Sequence, residues 1–256
     1  MSVRKIALLL LLTGLLYSCS TNEPNEETNP TTTVNLQPLG TSANELLSAD
    51  VFSSMTVEIA YPENFRPTEQ TLSNVRDFLE SHLNKPGGIQ FVETVLGNLG
   101  DGTKYSIEEI RELEAQERTL FTEEDDIAVW LFFANESSAK DQDNSVVLGT
   151  AYQNTSIVIF QKTIENITSN STRPVNKTLL ETTTINHEFG HLLGLVDLGS
   201  EPQSDHEDQD NPRHCVTEDC LMYFQTVANV FLTDAFTEAP ALDDFCLADL
   251  RANGGK

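Results

Sequence analysis

Apolar and polar positions alternate from Met55 to Tyr61 (Met-Thr-Val-Glu-Ile-Ala-Tyr), which predicts a short strand closed by Pro62. The period then lengthens. Between Thr68 and Leu83, the residues Leu72, Val75, Phe78, Leu79, His82 and Leu83 fall near one face of an amphipathic helix, and Pro86-Gly87-Gly88 breaks it. Ile89 to Leu96 predicts a second strand and Gly97 to Thr103 a loop. Ser106 to Glu117 predicts a charged helix, since Glu109 stands three after Ser106 in capping-box register. Ile127 to Ala134 is a nearly continuous apolar run, as expected of a strand covered on both faces. Val146-Val147-Leu148 and Ser156 to Phe160 read as two more strands joined through Gly149 to Thr155, and Asn166 to Asn176 as a polar loop. A helix begins at Thr178. Its run Thr182-Thr183-Thr184 is a poor helix former, so tertiary packing must hold it. Pro240 starts a last helix carrying Leu242, Phe245, Cys246, Asp249 and Leu250, ended by Asn253-Gly254-Gly255.

Composition adds a surface and a leader. The 256 residues suffice for one well-cored domain. Against 15 basic residues stand 40 acidic ones, a net charge of −25, which argues against nucleic acid and anionic lipid surfaces as partners. A soluble exterior, and cationic substrates, fit that charge. Residues 1–18 read as a signal peptide, with Arg4 and Lys5 before the apolar stretch Ile6 to Leu16, too short to span a membrane in the mature protein. Leu16-Tyr17-Ser18-Cys19 resembles a bacterial lipobox. The resemblance implies a lipidated Cys19 that anchors the chain in the cell envelope, at the outer membrane; plain secretion is the alternative. Residues 19–45 are polar and read as a disordered tether. Its Glu23, Glu26 and Glu27 resemble the export signals of surface lipoproteins. The folded domain is expected over 46–256, as a monomer.

The chemistry concentrates in Asn186-His187-Glu188-Phe189-Gly190-His191-Leu192-Leu193-Gly194. Histidines four apart leave one helix face a turn apart and can hold a single Zn²⁺, while Glu188 can act as general base toward a metal-bound water. Ile185, Phe189, Leu192 and Leu193 surround the motif, so the imidazoles are expected to be partly buried and in need of partners. Gly194 stands where the chain can leave the helix through a conformation that glycine adopts cheaply.

The pattern H-E-x-x-H-x-x-G resembles the metzincin clan of zinc peptidases, and His214-Cys215 through Cys220-Leu221-Met222 matches the H-C-x4-C-x-M run of archaemetzincins. That resemblance implies an α+β fold: a twisted mixed sheet packed on a zinc-binding helix in residues 46–194, then a Met-turn and small C-terminal subdomain in 195–256. It also implies hydrolysis of peptide bonds in a peptide or protein substrate, with Met222 beneath the metal and an edge strand, here Gly149 to Tyr152, that binds substrate backbone. Two departures stand out. An insertion from Leu195 to Arg213 separates the glycine from the run, and the downstream C-x-x-C that holds a second zinc in archaemetzincins is absent. Three residues therefore compete as third ligand: His214 is preferred, Asp197 follows on spacing, and His206 comes last.

If Cys19 is lipidated, Cys215, Cys220 and Cys246 remain. A Cys215–Cys220 bridge is preferred and Cys220–Cys246 is its rival, with a second zinc disfavoured for want of a fourth ligand. Asp205, Asp208 and Asp210 could offer oxygens to Ca²⁺, but solvated carboxylates fit them better. The rival functions are a gluzincin-type peptidase with a downstream glutamate ligand, a surface-anchored binding lipoprotein with a structural or degenerate zinc site, and a metal scavenger built on the insertion.

Overall fold

A computed structural model describes residues 33–100, 102–143, 145–170, 175–227 and 237–256. The leader, Cys19 and the Glu23, Glu26 and Glu27 cluster lie outside the described residues. No helix among the described residues is long and apolar enough to cross a membrane.

Five strands make one mixed sheet: β1 (Ser54–Pro62), β2 (Gly88–Leu96), β3 (Asp126–Phe133), β4 (Gly149–Gln153) and β5 (Ser156–Ile159), in the order β2-β1-β3-β5-β4. The first four in that order pair in parallel, and only β4 runs antiparallel, on β5. Parallel neighbours need long crossovers, and two of these are α2 (Glu69–His82) and α3 (Ile107–Glu117). Antiparallel β4 and β5 need only the turn at Asn154-Thr155.

Alternation along the strands sorts their side chains into two cores. Val57, Ile59, Val129, Leu131, Phe133, Ile157 and Ile159 join Leu72, Val75 and Leu79 of α2 on one face; Ala60, Trp130, Phe132 and Val158 join Ile110 of α3 on the other. Each large side chain so buried contributes roughly 1.5–3 kcal/mol. The first face also receives α5 (Lys177–Leu192), capped by the Asn176 side chain and buried at nearly every position from Leu179 to Gly190. Packing thus overrides the poor propensity of the three threonines. The Ser106 and Glu109 capping box forms with both of its hydrogen bonds.

Four boundaries differ from expectation. The tether does not extend to residue 45. Asn35 is buried, its amide donates to Thr122 Oγ1, the Ala128 carbonyl and Thr155 Oγ1, and α1 (Ala43–Leu47) packs into the core. Polar residues order there because the domain supplies their partners, which no local pattern reveals. Val146 to Leu148 is not a strand, while Gly149 to Gln153, expected as a connection and over Gly149 to Tyr152 as an edge strand, is a strand at the sheet edge, since it pairs with β5. The first residues expected in the polar loop, 166–170, belong to α4 (Gln161–Asn170), whose Thr163 and Ile164 are buried. The last helix, α6 (Asp244–Ala252), begins after Pro240 because Asp243 caps it, accepting from the Cys246 amide at 2.9 Å.

Candidate metal centre

The end of α5 places the site. Gly194 takes φ +78°, its amide bonds to the His191 carbonyl, and the Leu195 amide bonds to the Gly190 carbonyl. This is a Schellman ending. A Cβ at Gly194 would lie 2.6 Å from Ala43 Cβ, so α1 closes over the turn. The insertion leaves from here and returns at Arg213 to present His214 back toward α5.

His187, His191 and His214 then converge, with one ligand atom from each within 4.8 Å of the others. The His187 and His214 rings stack at 5.3 Å, and His191 stands edge-on to both, at 4.9 and 5.2 Å. His187 Nδ1 lies 2.8 Å from the Leu221 carbonyl, and His214 Nδ1 lies 3.1 Å from that of Pro212. Each carbonyl selects the tautomer that donates from Nδ1, which leaves the Nε2 lone pair free for a metal. Burial, opposed by the Leu221 hydrogen bond, lowers the His187 pKa to about 4, and burial holds His191 well below the usual value. Neutral imidazoles are what Zn²⁺ requires. The buried Nδ1 of His191 has no hydrogen-bond partner among the described residues. On donor chemistry and tautomer, the three residues fit a zinc ion.

Glu188 is buried beside them. Its Oε2 accepts from the Ala151 amide of β4 at 2.8 Å, and burial raises its pKa to about 7 against the pull of that bond. Strand and helix approach so closely that a Cβ at Gly149 would lie 2.8 Å from Glu188 Cγ. Met222 is fully buried, and a Cβ at Gly190 would clash with its sulfur. A cavity of about 370 Å³ opens over the histidines, walled by Thr150 and Ala151 of β4, by Leu39 and Leu198, and by Arg213.

Of the rival third ligands, Asp197 is solvent-exposed with φ +62°, and His206 is buried elsewhere; neither joins this group. His206 instead meets the cysteines. All three thiols are free, so neither proposed bridge is present, although Cys220 Sγ and Cys246 Sγ lie 3.7 Å apart. Asp205, Asp208 and Asp210 do not converge among the described residues; Asp208 accepts from its own turn, from the amides of Asp210 and Asn211.

Sequence reasoning missed Leu39, the packing of Gly190 and, although Ala151 fell in the expected edge strand, its amide's bond to Glu188. Leu39 was assigned to the tether. Ala151 acts through its amide, which carries no sequence signal. Gly190 could have been found, since a glycine in the middle of a helix costs stability and asks for a reason.

No protein-family description matches the chain by sequence, and no curated protein does. Solved structures do resemble it. Archaemetzincin from Methanopyrus kandleri superposes with a TM-score of 0.51 at 14% identity, covering 78% of this chain and 96% of that one. A zinc-dependent peptidase from Methanocorpusculum labreanum gives 0.47 at 11% identity (76% and 99% covered), and metalloproteinase-II from Bacteroides fragilis 0.38 at 13% (77% and 52%). Of the three, the first shows a shared fold: a mixed α/β arrangement with a five-stranded sheet.

Proposed function

We propose that this chain is a zinc-dependent peptidase, with His187, His191 and His214 as ligands and Glu188 as general base. The observation that carries the reading is the convergence of three imidazoles and one buried carboxylate on a single open cleft. A structural zinc site closes with four protein ligands and has no use for a base; three ligands leave a position for substrate. Zn²⁺ held there supplies Lewis acidity, which polarises a carbonyl oxygen and lowers the pKa of a neighbouring water. Glu188 takes the proton from the attacking water and returns it to the leaving amine. Burial raises the Glu188 pKa in the metal-free site, the direction a general base needs. The Ala151 amide holds the unused oxygen, so the other faces the reacting atoms. Substrate backbone adds as a strand along β4, the sheet edge on the cleft, while Leu39 and Leu198 wall the pocket beside it. Lipidation at Cys19 keeps the enzyme on the cell envelope.

Metal content and hydrolysis of an unfolded protein test the reading together. Glu188→Ala should keep zinc at His187, His191 and His214 and lose turnover by about 100- to 10,000-fold. Unchanged turnover ends the mechanism. A parent that binds zinc and hydrolyses no unfolded chain is the binding lipoprotein instead.

A further inference from the structure

We infer, resting on the peptidase reading, that Arg213 selects the substrate: peptides that present a carboxylate to the cleft, from their own C-terminus or from an acidic side chain near the bond to be cut. Arg213 lines the cavity over the histidines and stands one residue before His214, so the turn that delivers the third imidazole delivers a guanidinium with it. Its backbone is held from two sides. The Arg213 amide donates to Glu207 Oε1 at 2.8 Å, and the His214 carbonyl accepts from the Asp208 amide at 2.8 Å. Between those bonds Arg213 takes φ +70°, a left-handed conformation that few residues other than glycine, asparagine and aspartate adopt. Strain of this kind persists where the surroundings impose it.

The guanidinium itself is uncommitted. Among the described residues no group bonds to it or pairs with it, although two carboxylates share its turn. Glu207 accepts from the Arg213 amide, and Asp208 accepts from Asp210 and Asn211. Arg66, Arg76, Arg111 and Arg118, by contrast, all hold partners inside the fold. The free charge bears on the centre: after burial and the two neighbouring imidazoles, it adds to what holds the His191 pKa down.

The rest of the cleft offers a substrate little else to recognise. Leu39, Leu198 and Pro212 are apolar, Thr150 bonds back to the Gly149 carbonyl, and Glu188 is taken up as the base. Apart from the histidines, Arg213 is the one basic side chain around the cavity. The overall charge of −25 fits cationic substrates at long range, but selection is made at the cleft, and there the sign at the rim is reversed. A guanidinium offers parallel N–H groups that match a carboxylate bidentately, which an ammonium does not. At about 370 Å³ the cavity is near the lower end for small-ligand sites, which suits a few residues of chain held by an end or a side chain.

Binding without turnover tests this. Two probe pairs separate the sources of the carboxylate: N-acetylated trialanine as acid or as amide varies the C-terminus, and an N-acetylated, amidated alanine peptide carrying one Glu or one Gln varies a side chain. By calorimetry on the zinc-loaded Glu188→Ala chain, the carboxylate member of at least one pair should bind about 10-fold or more tighter than its neutral partner. Adding Arg213→Asn should bring that ratio to about one, and asparagine accepts the left-handed φ, so the turn is kept. Arg213→Lys should retain part of the preference. With Glu188 in place, the same ratio should appear in KM for the hydrolysed peptides, as expected of an anchor that holds ground state and transition state alike. No preference in either pair would overturn the assignment. So would a preference that survives Arg213→Asn, which would put the carboxylate on the zinc, or loss of zinc from both Arg213 variants, which would make Arg213 a support for His214. A chain that hydrolyses nothing yet shows the Arg213-dependent preference sinks only the peptidase reading; one that hydrolyses acid and amide equally well sinks only the role of Arg213.

Discussion

The two histidine-bearing side-chain clusters of the molecule use similar residues to opposite ends. At the first, two histidines come from one helix and the third from the returning insertion, they face a cavity, and a buried carboxylate stands beside them. At the second, one histidine and three thiols face one another, buried, and the nearby carboxylates are occupied as a cap on α6 and as a brace on His206. The difference lies in where the free ligand position points. An open cleft beside a carboxylate leaves room for a ligand, while the buried cluster is filled by its own side chains. Both depend on the insertion, which brings His206 to one cluster and His214 to the other.

The comparison breaks hardest at the third ligand. His214→Ala should weaken zinc binding at the open centre by more than about 100-fold, beyond what losing an outer partner costs, while Asp197→Ala leaves it unchanged. Zinc titration of both variants decides it. Loss on Asp197→Ala with full affinity on His214→Ala would move the site to the short spacing and leave His214 as a packing residue.

Acid separates the clusters next. In the metal-free protein His187 titrates near 4 against 6.5 when unfolded, so between these values the unfolded state binds more protons. Its contribution is present above pH 6.5 and lost as pH falls toward 4, a loss of roughly 3 kcal/mol from this group. Denaturant unfolding of chelated protein at several pH values, set beside His187→Gln, should show it; identical pH dependence in the two proteins refutes the assignment.

The contact between Gly190 and Met222 is a smaller matter. Gly190→Ala should destabilise by about 1–3 kcal/mol through overpacking on Met222. An alanine variant of parent stability would mean that Met222 does not press on the helix. Smallest of all, Ser106→Ala removes a cap remote from both clusters and should cost about 1 kcal/mol with no change in zinc content. A change in metal content there would mean that the clusters merely track global stability.

Legibility followed the range of the interaction. Strands β1, β2 and β3 and helices α2 and α3 were readable to within a residue or two, since alternation, amphipathic period and capping are fixed by neighbours in the chain. β4 was misplaced by a few residues because Val146 to Leu148 has the better strand composition, but Gly149 to Gln153 has the partner. The polar segment at Asn35 gave no local sign of order, because what orders it is more than eighty residues away in Thr122, Ala128 and Thr155.

By itself the sequence determined that His187 and His191 share a helix face with Glu188 beside them, and that a glycine ends that helix, because a spacing of four residues becomes a direction as soon as a helix forms. Only the tertiary structure decided that His214 rather than Asp197 or His206 faces the pair, that Glu188 is buried against Ala151, and that Cys215, Cys220 and Cys246 gather around His206 instead of bridging. Those outcomes depend on how an insertion without regular structure packs against a sheet-backed helix. Its path is set by which of its side chains find buried partners, and the chain order of those partners carries no trace of their distance in space.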